Sequence, residues 1–175
     1  VGGERLGVSM NGRTRSLELR DVVVTGAVNS AIWVTNGAHL TADGLAVRGT
    51  RSAPSTRTRG TGLEASGGAA VEVARAVFER NREVAVFAFQ AGTTVTLADV
   101  VVRDTQSRER DRMAGNGLGA QDGAAVEVTR AVFERNRDVA VIAFDAGTTV
   151  TLADVVVRDT QSGESDRTAG WGLGA

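Results

Sequence analysis

Residues 68–107 return at 123–162, an offset of 55, with 36 of 40 positions identical. Only Ala74/Thr129, Glu83/Asp138, Phe87/Ile142 and Gln90/Asp145 differ. Self-similarity at a fixed period is the mark of a stacked-repeat architecture, in which each unit buries its apolar side against the next. A further unit opens with GLGA at 172–175. The chain is therefore expected to be a piece of a longer array, and its start at Val1 rather than Met points to missing sequence before it.

Each 55-residue unit divides again. Setting Gly68 over Gly92 lays AAVEVARAVFER on TTVTLADVVVRD, and the same frame fits the stretches beginning at 14 and 37. The anchors are then 14, 37, 68, 92, 123 and 147, with steps of 23, 31, 24, 31 and 24. The 31-residue steps carry loop insertions of about seven residues after Thr50 and Thr105, and a similar polar stretch follows Thr160. Within a coil the apolar residues alternate with period two, the strand signature. Val71 and Val73 flank Glu72; Ala76 and Phe78 follow a two-residue corner. A third run precedes each anchor, where Ile32/Val34, Leu63/Ala65, Phe87/Phe89, Leu118/Ala120 and Ile142/Phe144 are expected inside.

Three short strands per turn predict an all-β fold, a right-handed parallel β-helix of about six coils in which alternate coils bear loops. Six coils at the usual strand spacing make a rod ~29 Å long. The whole of 1–175 reads as one segment: a lead-in over 1–13, coils over 14–171, and the start of a truncated repeat at 172–175.

GAAVEV, FERNR and AGTTVTLADVVVRDT resemble the right-handed parallel β-helix, pectin-lyase-like superfamily, and in particular repeat-rich secreted or surface proteins of high-GC bacteria such as myxobacteria. The resemblance runs from Thr14 onward and implies a secreted or cell-surface setting. It does not choose among lyases, hydrolases, tailspikes and adhesins, because one fold hosts many activities.

Composition narrows the field. Twenty arginines, no lysine and 21 acidic residues give a net charge of −1 and no broad basic field for nucleic acid. The absence of cysteine removes thiolate chemistry, and no apolar run reaches the ~18 residues of a membrane span. A single histidine, His39, cannot make a His cluster for a metal and is expected on the surface. GNGLGA and GWGLGA open no helix and lack the phosphate-loop lysine, so no nucleotide or organic cofactor is expected.

Most charges fall into columns of alternating sign: Arg75, Asp99, Arg130, Asp154; Arg48, Glu79, Arg103, Glu134, Arg158; and Arg80, Asp104, Arg135, Asp159. Opposite neighbours one coil apart attract, and a slip by one coil would set like charges together, so these columns read as register-setting scaffold. A pectate-lyase-like centre would instead need clustered acidic calcium ligands. Asn81 and Asn136, alternating with Thr105 and Thr160, read as corner residues that satisfy turn backbone groups. The outward Glu72 and Glu127 repeat identically, as a decorated surface does. No catalytic residue is assigned.

Two features remain for function. The residues between the second inward pairs form an outward apolar stripe, Val23, Ala46, Val77, Val101, Val132 and Val156, suited to contact with another rod or protein. The loops 51–61, 106–116 and 161–171 leave the same corner of alternate coils and should line one edge. Their arginines Arg51, Arg57, Arg59, Arg108, Arg110 and Arg112, with the outward Trp33 as a stacking ring, are the candidate ligand-binding residues. The expected role is a structural or adhesive segment that meets a polysaccharide or a neighbouring protein; the alternative is a polysaccharide lyase or glycoside hydrolase whose site lies partly outside the segment.

Overall fold

In the computed structural model, which describes residues 7–165, 167 and 170–174, alternating apolar runs become strands of two lengths. The long ones are β2 (Ser16–Thr25), β4 (His39–Arg48), β6 (Ala70–Glu79), β8 (Thr94–Arg103), β10 (Ala125–Glu134) and β12 (Thr149–Arg158). Between them lie β1 (Val8–Asn11), β3 (Ser30–Thr35), β5 (Thr61–Ser66), β7 (Val84–Phe89), β9 (Asn116–Gln121), β11 (Val139–Ala143) and β13 (Trp171–Gly174). The even strands form one six-stranded sheet in the order β2 to β12, and the odd strands one seven-stranded sheet from β1 to β13. Every pairing is parallel and joins a strand to its counterpart in the next half-repeat, as Ala70–Glu79 to Thr94–Arg103 shows. The all-β arrangement is compatible with a parallel β-solenoid. Among the described residues no helix is long and apolar enough to cross a membrane.

The three short strands expected per turn appear as two, because the first pair fuses into a ten-residue strand bent at its sixth position. That position holds Asp21, Gly44, Arg75, Asp99, Arg130 and Asp154, all with φ between 52° and 71°. One left-handed residue turns the strand without ending it, and the ladder skips it: Ala74 pairs with Ala98 and Ala76 with Val100.

The core fills the space between the sheets. Leu40, Val71, Val95 and Val126 stack on one inward row, and Val47, Phe78, Val102 and Phe133 on another, all at most 1% exposed. The seven-stranded sheet answers with Ile32, Leu63, Val86 and Leu118 and with Val34, Ala65, Ala88 and Ala120, each fully buried.

Here one expectation is overturned. Phe87/Phe89 and Ile142/Phe144 lie outside, and Val86/Ala88 and Val141/Ala143 take the inward places in register with Leu118/Ala120. Trp33 consequently shares its outward column with Glu64, Phe87, Gly119 and Ile142, not with Ala88 and Ala143. Two causes combine. The run VAVFAF has no polar residue to mark its parity, and the positions before the expected pair also face inward. Ala31, Ala85 and Ala140 are fully buried, and a Cβ on Gly117 would lie 2.9 Å from Phe133 Cδ1, so that position stays glycine to admit the phenylalanine of the facing sheet.

One charge column is joined along its length, while the other two are joined at Asp99–Arg130 and Asp104–Arg135, and Arg75 and Arg80 turn instead to Asp43 and Glu79. Arg48, Glu79, Arg103, Glu134 and Arg158 connect through contacts of 3.6, 3.2, 4.0 and 2.6 Å. Arg75 grips Asp43 and Arg130 grips Asp99 in two-point pairs of 2.6–2.9 Å. Arg135 holds Asp104 in the same way at 2.8 and 3.1 Å. Beside them, the fully buried Asn81 Oδ1 accepts from Thr50 N–H and Oγ1, and its Nδ2 donates to the Val47 carbonyl. Asn136 repeats this with Thr105 and Val102.

Candidate functional site

The insertion loops form a row along one edge, as their common exit corner requires. Loops 51–61 and 106–116 share one fold: Arg57 and Arg112 both sit in the left-handed region, and each donates its N–H to a carbonyl four residues back. Ser52 and Ser107 tie each loop to its own base by donating to the Arg59 and Ala114 carbonyls. The loops also touch one another, Arg110 N–H donating to the Arg57 carbonyl at 2.9 Å. Isolated bridges Val28–Arg51 and Arg82–Gln106 hold their feet to the adjacent turns.

Between this row and the outer face of the seven-stranded sheet runs a groove. Its upper part, about 440 Å3, is lined by Ser30, Trp33, Ala53, Thr56, Thr58 and Arg59. Its continuation, about 240 Å3, shares Arg59 and is lined by Glu64, Glu83, Phe87, Phe89 and Gln121 among others. At the junction Glu64 is 4% exposed although it lies on the outer face, because the loop folds over it. Ser30 Oγ donates to its Oε2 at 2.7 Å, and Arg59 Nη1 lies 3.3 and 3.2 Å from its two oxygens. Glu83, with φ of 60°, accepts from the Arg59 backbone N–H and from Arg108 Nη1. The Phe87 and Phe89 rings stack with centroids 5.2 Å apart. The result is a row of aromatic faces interrupted by one buried, fully hydrogen-bonded carboxylate.

The predicted ligand residues separate into three groups. Trp33 and Arg59 meet in the groove. Arg108 faces inward to Asp111 at 2.6 Å and Glu83 at 3.4 Å; the charge-assisted bond to Asp111 raises the arginine's proton affinity and holds the Asp111 carboxyl below its usual range. Arg57, Arg110 and Arg112 stand exposed on the loop crest, and Arg51 turns to the opposite side of its loop. The stripe lies on the six-stranded sheet as one column. Val23 (63%) and Val156 (50%) are exposed, whereas Ala46, Val77, Val101 and Val132 are half-buried between the charge ladders. His39 is on the outer face, 3.7 Å from Glu72. Most of the loop 161–171 is described, but Asp166, Thr168 and Ala169 lie outside the described residues.

Sequence reasoning missed Glu64, Ser30, Phe87 and Phe89. Its signal for Glu64 was present: a carboxylate in the same column as Trp33, with aromatic residues, Trp33 and Phe87, on either side of it. Among the described residues no group of three His, Asp or Glu side chains is placed to hold a metal ion. Comparisons with protein-family models, curated proteins and solved structures found no match.

Proposed function

We propose that this chain is a stretch of right-handed parallel β-helix of the pectin-lyase-like kind, about six coils long, that serves a secreted or cell-surface protein as a structural or adhesive segment. Its contact with a polysaccharide would be made in the groove between the loop row and the seven-stranded sheet. The observation that carries this reading is the pairing of aromatic faces, Trp33 and the Phe87–Phe89 stack, with the buried Glu64 carboxylate held by Ser30 and Arg59. Sugar rings offer an apolar face and a rim of hydroxyls, and the groove offers a stacking surface and fixed acceptors and donors to match.

Co-sedimentation with a panel of neutral and acidic polysaccharides tests it. Trp33→Ala should weaken retention about ten-fold while leaving the melting temperature nearly unchanged, since the ring is not in the core. Equal retention of wild type and variant would overturn the groove as the binding surface.

A second reading has one observation in its favour: Glu64 and Glu83 share the groove and are both tied to Arg59. Paired carboxylates are what glycoside hydrolysis uses. Against it, both are occupied by internal donors. Chain cleavage seen by mass spectrometry, abolished by Glu64→Gln, would favour the enzyme.

A further inference from the structure

The internal repeat supplies its own control for a second site. At 2.8 and 3.1 Å, Asp104 neutralises Arg135, the guanidinium of the following turn. One unit earlier Arg80 occupies the position of Arg135, but the position of Asp104 is Gly49. A Cβ built on Gly49 meets nothing within 4 Å, so the space a carboxylate fills in one unit is open in the other. That space belongs to a hollow of about 290 Å3 lined by Arg48, Arg51, Arg80 and Arg82 with Gly49, Thr50 and Gln106.

The charge balance changes with it. Around Asp104, three arginines (Arg103, Arg135, Arg137) face three carboxylates (Asp104, Glu134, Glu164). Around Gly49, the exchange of Gln106 for Arg51 makes four arginines, and the carboxylates fall to Glu79 and Glu109. Glu79 is already divided among Arg48, Arg80 and Arg103 at 3.6, 3.0 and 3.2 Å, and Glu109 is held by Arg82 at 3.2 Å. The hollow thus carries two uncompensated positive charges, on planar forks suited to a doubly charged oxyanion.

We propose that the hollow at Gly49 is a binding site for one phosphate or sulfate group, which takes the place that the Asp104 carboxylate holds in the next unit. Arg80 and Arg51 are its principal ligands, and Arg48 and Arg82 complete the rim.

The test is a titration of the 175-residue chain with inorganic phosphate and, separately, with inorganic sulfate, followed by calorimetry and by the backbone amide resonances of 48–51 and 80–82. Wild type should bind one equivalent and shift those amides saturably. Gly49→Asp installs the residue that its counterpart tolerates at φ of 56°, so it should fold and should weaken binding at least about ten-fold. Arg51→Gln, copying Gln106, should weaken it less. The reciprocal double change Asp104→Gly with Gln106→Arg should raise the stoichiometry from one to two. A sulfated disaccharide competing more tightly than inorganic sulfate for the same amides would assign the group to a glycan; the reverse would assign it to the free ion. Undiminished binding by Gly49→Asp, or no saturable shift at these amides in wild type, would overturn the site.

Discussion

Asn136 shows how much one side chain does in a stack of parallel strands. Its amide is fully buried, accepts from Thr105 N–H and Oγ1 at 3.2 and 2.7 Å, and donates to the Val102 carbonyl at 3.0 Å. Removing it strands three backbone or side-chain groups away from water. Asn136→Ala should cost about 2–4 kcal/mol, read as a lowered urea midpoint, whereas Thr105→Val, which keeps the backbone bond, should cost less. Gly117 is constrained by space: an added methyl would meet the Ala140 carbonyl at 2.5 Å and Phe133 at 2.9 Å. Neither atom can retreat from a packed interior, so Gly117→Ala should destabilise by about 1–3 kcal/mol, with Gly119→Ala, whose tightest neighbour is the movable Phe87 ring at 3.1 Å, as the milder comparison. The same residue scale explains what could be read in advance. The Asn and charge columns were legible because they recur at fixed offsets in polar or charged form. The parity of VAVFAF was not, since size suggests Phe inside while the opposite sheet already fills that space with Phe78 and Phe133.

At the scale of elements, the bent strand and the ladder beside it set register together. Glu134, on the last residue of β10, is 6% exposed and touches Arg158 at 2.6 Å, Arg135 at 3.2 Å and Arg103 at 4.0 Å. The Arg158 hydrogen bond, against the opposing cost of burial, holds its carboxyl below the ordinary 4.5 of glutamate. Asp43 and Asp99 are held below the ordinary 3.8 by Arg75 and Arg130 in the same manner. Folded carboxyls of this kind bind protons less readily than the unfolded chain does. Their contribution is complete above the unfolded values and is lost as pH falls through the lower, folded ones. Thermal stability should therefore be level from neutral pH down to about 5 and decline below about 4, most steeply in the acid end of that range. Glu134→Gln should flatten part of the decline; a melting profile indifferent to both pH and the substitution would show that the ladder contributes nothing. The loops were legible as elements, by length and common exit corner. Their fold over Glu64 was not, because Ser30, Arg59 and Glu64 meet only when two turns and a loop are stacked.

Across the whole molecule, stability is distributed along the stack rather than gathered in one centre, because each strand pairs only with the strands next to it in its own sheet. The burial of the inward rows makes the gradient visible. Inward residues of β6, β8 and β10 are at most 2% exposed, whereas Leu17, Leu19, Val22 and Val24 of β2 and Val150, Leu152, Val155 and Val157 of β12 are only partly covered. Among the described residues the two outer long strands pair on one side only, and their inward side chains are correspondingly less covered. Local opening should begin there and move inward, so amide exchange ought to rank β2 and β12 as fast and β6 to β10 as slow, by several powers of ten. A cavity in the centre distinguishes this from simple edge fraying. Phe78→Ala should open a void of an aromatic ring between its ladder neighbours Val47 and Val102, cost about 3–5 kcal/mol, and raise exchange in β6 and β8 toward that of the outer strands. Exchange that remained uniform along the stack in both proteins would mean a single cooperative unit, and nearest-neighbour coupling would then be too strong for the ends to open alone.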